Sequence, residues 1–209
     1  MIPVKILAVR YLANATPALC KALGAPKGHP SLGMLTTDCD DATYIALDAA
    51  TKAADVKVCY GRSFYAGAAN ASTPNAGEVI GILAGATPGA VRSGMEAAIG
   101  ALERVGFEQA GEVPYLAHTV SSVGSYLAKE AGVAEGTAGA YLIAPPLEAM
   151  YAMDAALKAA EVKLCKLYAP PSETNFGGGL LSGTQSACDA ACGAFAAAVA
   201  EVADRPKEW

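Results

Sequence analysis

The sequence predicts a mixed α/β (α+β) fold built from two similar domains in tandem. A sixteen-residue run at 44–59 recurs at 150–165 with ten identical positions. A strand, a Thr-containing turn and an Ala-rich helix at 77–105 recur at 176–202. Two domains of about 105 residues fit the usual domain size in a chain of 209 residues. We place them at residues 1–108 and 109–209.

The doubled run predicts a helix followed by a strand in each domain. Its copies, YIALDAATKAADVKVC and MYAMDAALKAAEVKLC, place Asp four residues before Lys, a favourable helical pair, and then alternate with period two. Upstream, residues 12–24 and 122–132 match more weakly, each as a short helix that ends at Gly. Downstream, Thr87 and Pro88 form a good N-cap and first turn. Each domain is therefore predicted as strand, helix, strand, helix, strand, strand, helix.

Composition and charge exclude several classes of function. Lys+Arg 15 against Asp+Glu 20 gives a net charge of −5, and no basic block is present, which argues against a nucleic-acid partner. Apolar residues reach 53%, yet no window holds the roughly 18 to 20 uninterrupted apolar residues of a membrane span. The N-terminus also lacks the pattern of a signal peptide. We expect a cytosolic protein, with no membrane partner, whose apolar surface is covered by contacts between subunits.

The six cysteines and two histidines form no recognisable catalytic or metal motif. No CxxC pair occurs, so the cysteines are predicted to be small buried hydrophobes in a reducing compartment. Cys188 and Cys192 share a helix face, but a metal would need ligands that the sequence does not place there. His118 is predicted to be a partly buried strand residue. We expect no enzyme, no metal and no required cofactor; the alternative is an enzyme or a soluble small-molecule sensor.

Two long segments interrupt the repeat pattern, at residues 61–77 and 168–179. They are rich in Gly, Ser, Asn and Pro, and loops longer than about 12 residues are usually functional or mobile. Because they occupy equivalent places in the two copies, they would converge if the copies were arranged around one axis. The alternative is that both are ordinary surface connections.

Taken together, these segments resemble the bacterial microcompartment shell proteins. The doubled run xDAAxKAAxVK is similar to the family signature, and the stretches SLGMLTTDCDDATY, AYLIAPPLEAMY and APPSETNF resemble the tandem-domain, trimeric type found in ethanolamine-utilisation compartments. The resemblance implies two circularly permuted domains, each a small, mainly antiparallel sheet flanked by helices. It further implies a structural protein, a pseudohexameric homotrimer that tiles into sheets with other shell proteins. A gated central pore and smaller pores would then control passage of ethanolamine, products or cofactors.

The resemblance also implies a binding site for ethanolamine, formed by Asp40, Glu78 and Phe107. Two carboxylates and an aromatic face suit an ammonium ion, through charge-assisted hydrogen bonds and cation–π attraction. Another interpretation of Asp40 is an N-cap for a helix that starts near Ala42. A cobalamin-type ligand is compatible with the family, although no motif for one is found.

Two further groups of residues follow from the resemblance. Lys52 and Lys158 fall on the signature lysine that lies at the tile edge in this family. The alternative is that they only pair with Asp48 and Asp154 on solvated helix faces. The long loops supply the residues predicted to line the central pore or to flank its hinges: Tyr65, Asn70, Thr174 and Asn175.

Overall fold

The computed structural model contains two compact units. It describes residues 1–64, 77–170, 172 and 174–207, so Tyr65 and Asn70 of the predicted central pore lie outside the described residues. The first unit comprises the described residues of Pro3–Gly106 together with Gly124–Leu127. The second unit comprises Met1–Ile2, Phe107–Val123 and the described residues from Ala128 onward. Each unit therefore includes a short segment from the other half of the sequence.

The first unit is a four-stranded antiparallel sheet with the strand order β1-β2-β4-β3. Helices α2 and α3 pack against each other and against this sheet. In chain order the elements are β1 (Ile6–Leu12), α1 (Pro17–Ala22), β2 (Ser31–Thr37), α2 (Asp40–Ala53), β3 (Val56–Ser63), β4 (Val79–Gly85) and α3 (Pro88–Leu102).

The second unit has the same architecture with one additional strand. Its sheet is antiparallel, with the order β5-β6-β7-β9-β8, and helices α5 and α6 pack together on it. The elements are β5 (Glu108–Ala110), β6 (Val113–Val120), α4 (Ser125–Ala131), β7 (Ala138–Ala144), α5 (Pro146–Ala159), β8 (Lys163–Tyr168), β9 (Gly177–Gly183) and α6 (Gln185–Asp204).

The predicted order of elements is confirmed in both halves, and so is the prediction of two antiparallel sheets flanked by helices. The similarity extends to local irregularities. The register of β3 against β4 shifts at Cys59, and the register of β8 against β9 shifts at Cys165, the equivalent residue of the second copy. The three-residue strand β5, which pairs with β6, was not predicted because it is too short to show a periodicity.

Threonine side chains cap three of the helices. The predicted cap at α3 is confirmed, since Thr87 Oγ1 accepts the Ala90 N–H at 3.2 Å and Pro88 follows it. Thr184 caps α6 in the same way, and Thr16 caps α1 through a longer bond of 3.4 Å to the Leu19 N–H. These caps set where each helix begins, because they provide acceptors for N–H groups that lack an intrahelical partner.

Helix α6 contributes much of the core of the second unit. Its buried residues include Cys188, Cys192, Phe195 and Val199, and they pack with Leu142 of the central strand β7 and its neighbours. Among the described residues, α6 is also the one helix that could cross a membrane by length and composition alone. A core helix passes the same test, so these properties do not by themselves indicate a membrane span.

Candidate functional site

Strands β2 and β3 end, and strand β4 begins, at the same end of the first sheet. β2 ends at Thr37, β3 ends at Ser63, and both residues pair with Val79, the first residue of β4. Glu78 therefore lies beside both strand ends. Its N–H donates to the Thr37 carbonyl and its carbonyl accepts the Phe64 N–H, each at 2.8 Å. The antiparallel register thus fixes the backbone of Glu78 next to the start of α2.

Close packing at Gly77 holds this edge together. A Cβ atom at Gly77 would lie 2.1 Å from the Thr37 carbonyl oxygen and 2.4 Å from Thr36 Oγ1. No side chain fits there, so glycine allows the chain to approach β2 closely enough for Glu78 to bond Thr37.

Asp40 is the first residue of α2 and is buried. Cys39 occupies the N-cap position without a side-chain bond, so the interpretation of Asp40 as an N-cap is wrong. Its carboxylate instead accepts the Asp41 N–H at 2.9 Å and hydrogen-bonds the Ser63 hydroxyl. Ser63 in turn is 2.7 Å from the hydroxyl of Tyr44, one turn further along α2. These contacts orient Asp40 towards the strand ends that carry Glu78.

The two predicted carboxylates, Asp40 and Glu78, influence each other electrostatically. Burial raises the pKa of Asp40, an effect that its hydrogen bonds to Ser63 and Asp41 partly offset. Burial also raises the pKa of Glu78, and the negative charges of Asp40 and Asp38 raise it further. Within the described residues, neither Asp40 nor Glu78 forms an ion pair with a basic side chain. We call the group formed by Asp38, Asp40 and Glu78 at these strand ends the acidic edge. A cation that entered the acidic edge would relieve the repulsion and stabilise the ionised forms of Asp40 and Glu78.

Phe107, the third residue predicted for this site, lies in the second unit. Its ring meets that of Phe176 edge to face, with centroids 5.5 Å apart and an angle of 73° between the planes. Its carbonyl accepts the N–H of Ile2. The first unit therefore brings Asp40 and Glu78 together, whereas the assignment of Phe107 to the site stays a prediction.

Two of the predicted central-pore residues lie within the described chain. Thr174 donates its backbone N–H to Ser172 Oγ at 3.3 Å. Asn175 has a φ of 64°, a left-handed conformation that Asn tolerates better than most residues other than glycine. Both lie just before β9, and their role at a pore stays a prediction.

The two signature lysines lie in different surroundings. Lys158 forms a 2.5 Å ion pair with Asp154, and both side chains are exposed, as the alternative interpretation expected. Lys52 is 3.4 Å from Asp48, but the Asp48 side chain is completely buried. Asp48 also accepts the N–H groups of Gly124 and Leu127, at 2.7 and 2.8 Å. The description of both pairs as solvated is therefore wrong for Asp48, and the edge role of both lysines stays a prediction.

The described cysteines and His118 differ in burial. Burial raises the pKa of the thiols of Cys59 and Cys192 to about 11, and it also raises those of Cys39 and Cys188. The described cysteines are all free, but only Cys188 and Cys192 are fully buried, so the prediction of burial is wrong for the other four. His118 is a half-buried residue of β6, as predicted. Across the described ranges, no group of three or more His, Cys, Asp or Glu side chains could hold a metal ion.

Comparison with known proteins identifies the family. Residues 31–114 match the BMC domain. The chain is 58% identical over 205 residues to the bacterial microcompartment shell protein EutL of Clostridium perfringens, covering 96% of this chain and 94% of that protein. The chain belongs to the EutL family of bacterial microcompartment shell proteins. It is also 48% identical to EutL of Escherichia coli, with the same coverage.

A solved EutL structure has the same fold over the full chain. The crystal structure of the ethanolamine utilization protein EutL from Leptotrichia buccalis superimposes with a TM-score of 0.97 at 57% identity, covering 100% of this chain and 98% of that one. The resemblance found in the sequence is therefore confirmed, and membership of the EutL family places the chain in a microcompartment shell. This membership sets aside the hypothesis of a soluble sensor.

Sequence reasoning missed several side-chain contacts, some at the acidic edge and one further along α2. Asp38 was visible in TTDCDD, beside Asp40, but its proximity to Glu78 depends on the pairing of β2 with β4. The contact of Ser63 with Tyr44 joins residues nineteen positions apart, and no local pattern indicates it. The acceptor role of Asp48 was hidden because its donors lie more than seventy residues away.

Proposed function

We propose that this EutL-family chain forms a homotrimeric, pseudohexameric tile in the shell of an ethanolamine-utilisation compartment. The two units of similar fold support this proposal, because three copies of a two-domain chain give a ring of six similar domains with closed cyclic symmetry. The tile would associate with other shell proteins into sheets and would have a structural role without catalysis. Burial raises the thiol pKa values of Cys39, Cys59 and Cys192, which disfavours these three side chains as nucleophiles.

The acidic edge of the first unit is the proposed binding site for ethanolamine. The single observation that carries this proposal is the proximity of two partly desolvated carboxylates, Asp40 and Glu78, whose pKa values are raised. Ethanolamine is an ammonium ion near neutral pH, so its positive charge would be attracted to both groups. Its hydroxyl can both donate and accept a hydrogen bond at the same edge, where Ser63 already bonds Asp40. A neutral product of similar size would lack the electrostatic attraction.

Isothermal titration calorimetry with ethanolamine tests this site. The double variant Asp40→Asn, Glu78→Gln keeps the shape of both side chains and removes both charges. We expect its affinity for ethanolamine to fall at least tenfold, because charge-assisted hydrogen bonds are about twice as strong as neutral ones. Ethylene glycol, which lacks the ammonium group, should bind neither protein measurably.

The matched control is the double variant Asp55→Asn, Glu103→Gln. These carboxylates are exposed and lie in the same unit, outside the acidic edge. The control should bind ethanolamine as the unaltered chain does, since it changes net charge equally. An unchanged heat of binding in the Asp40, Glu78 variant would place the ammonium site elsewhere.

The pore and edge roles belong to the same proposal. The loops that contain Thr174 and Asn175 would line or flank a gated central pore, and Lys52 and Lys158 would contact neighbouring tiles. The proposed tile requires no resident cofactor, and a cobalamin-type ligand is compatible with its proposed central pore.

A further inference from the structure

The segment Gly124–Leu127 docks on α2 of the first unit through the signature aspartate. Asp48 accepts two backbone N–H groups of this segment, from Gly124 and Leu127. Thr51 Oγ1, one turn along α2, accepts the N–H of Ser125 at 3.1 Å. Leu127 is only 2% exposed in this contact. A carboxylate on α2 thus holds the first turn of α4.

The internal repeat contains a second copy of each partner in this contact. Asp154 on α5 is equivalent to Asp48, and the segment Thr16–Leu19 is equivalent to Gly124–Leu127. The second equivalence rests on the offset of 108 residues between the start of α1 and the start of α4. Glycines with positive φ follow both helices at this same offset: Gly24 (73°) and Gly132 (64°), and Gly28 (85°) and Gly136 (87°).

The second copies of these partners are exposed. The Asp154 side chain is 64% exposed, whereas that of Asp48 is 0% exposed. Leu19 is 40% exposed, whereas its equivalent, Leu127, is buried. Leu147 and Tyr151 are also exposed, and with Asp154 they form a stripe at helical spacing on α5. Both partners of the Asp48 contact therefore have a second copy in the chain, and these second copies are exposed to solvent.

We infer that the α5 stripe of one copy of this chain binds the Thr16–Leu19 segment of a second copy. Asp154 accepts hydrogen bonds from Thr16 and Leu19 of the second copy, and Leu19 packs against Tyr151. The Leu19 N–H now donates to Thr16 Oγ1 over 3.4 Å, whereas the Leu127 N–H donates to the Asp48 carboxylate over 2.8 Å. A carboxylate can therefore compete for this N–H, and Thr16 Oγ can donate its own hydrogen to Asp154.

The two contacts are similar but not identical. A Cβ at Gly124 would lie 2.3 Å from Thr51 Oγ1, whereas Thr16 carries a full side chain at the equivalent position. Leu157 stands on α5 in place of Thr51. The contact between copies therefore replaces one polar bond with apolar packing and requires a slightly wider approach.

This inference rests on the proposed trimer and identifies the residues that join its copies. The stripe and the segment are different surfaces, so the contact is heterologous, the type that generates closed rings. The contact gives a role to the aspartate of each repeat: Asp48 joins segments within one chain, and Asp154 joins two chains. It also explains why Leu19 and Tyr151 remain exposed in a single chain.

The first test measures dissociation of the assembly on dilution, by sedimentation velocity. We expect Asp154→Ala to raise the dissociation constant of each interface at least tenfold, since it removes a charged acceptor. Asp189→Ala is the matched control, because Asp189 is an exposed acid on α6 of the same unit. It should leave dissociation unchanged. Equal dissociation of Asp154→Ala and the unaltered chain would overturn the inference.

The second test uses native mass spectrometry on two interface variants. Leu19→Glu alters only the segment, and Tyr151→Glu alters only the stripe, so each should be monomeric alone. Mixed together, they can form one intact contact, between the segment of the Tyr151 variant and the stripe of the Leu19 variant. We expect a one-to-one dimer and no trimer.

Other outcomes of the mixing test contradict the inference. A trimer from either variant alone, or a mixture that gives trimers or only monomers, would show that these surfaces do not pair. Circular dichroism should show all variants folded, since the altered side chains are exposed. A monomeric unaltered chain would instead refute the proposed trimer itself, so the two failures are distinguishable.

Discussion

Replacing Asp48 with Asn should loosen the segment Gly124–Leu127 without disturbing the rest of the first unit. The variant keeps the shape of the side chain but retains only one acceptor oxygen for the two N–H groups of Gly124 and Leu127. An unsatisfied buried N–H costs about 1–3 kcal/mol, and the remaining bond loses about 1 kcal/mol when its acceptor becomes neutral. The expected loss is therefore about 2–4 kcal/mol.

Hydrogen exchange measured by mass spectrometry follows this loss directly. A change of about 2–4 kcal/mol in local opening corresponds to exchange about 30- to 900-fold faster in peptides that contain Gly124 and Leu127. Asp55→Asn is the matched control, because it makes the same change at an exposed position of the same unit. It should not accelerate exchange in this segment. Unchanged exchange in Asp48→Asn would refute the conclusion that this carboxylate holds α4 in place.

Two other predictions concern the acidic edge and the tile edge. Burial raises the pKa of Asp40, so the folded protein holds the proton of this carboxyl group more tightly than the unfolded chain does. The stability that the protonated carboxyl group contributes is therefore lost as pH rises through the folded-state pKa. Asp40→Asn should therefore melt at a higher temperature than the unaltered chain at neutral pH, with the difference vanishing near about pH 4; a lower melting temperature at neutral pH would contradict the assignment. Lys158→Ala should abolish two-dimensional sheets in negative-stain micrographs and leave the trimer intact, and persistent sheets would exclude an edge role.

The order of elements could be predicted because the sequence repeats itself. Ten identities in sixteen positions made each copy a check on the other, and the Thr87–Pro88 cap fixed the start of α3. Local patterns of this kind depend on neighbouring residues alone, so they can be found without tertiary information. The family resemblance followed from the same repeated motif.

Identical motifs could not reveal the different environments of their residues. Asp48 and Asp154 occupy the same place in DAAxKAA, yet one is buried and the other exposed. The difference arises because Gly124–Leu127 covers α2, and that contact joins residues far apart in the chain. Similarly, Asp40 looked like a cap because DCDD precedes the helix, but the helix begins at Asp40 itself. The proximity of Asp40 to Glu78 came from strand register, which single-sequence patterns do not fix.

The molar mass of the unaltered chain, measured by light scattering, tests the central claim most directly. A chain of 21.0 kDa that forms a trimeric shell tile should give a mass of about 63 kDa, three times that of one chain. This mass should persist on dilution to working concentrations. A mass of one or two chains would contradict the pseudohexameric tile and, with it, the pairing of the α5 stripe with Thr16–Leu19.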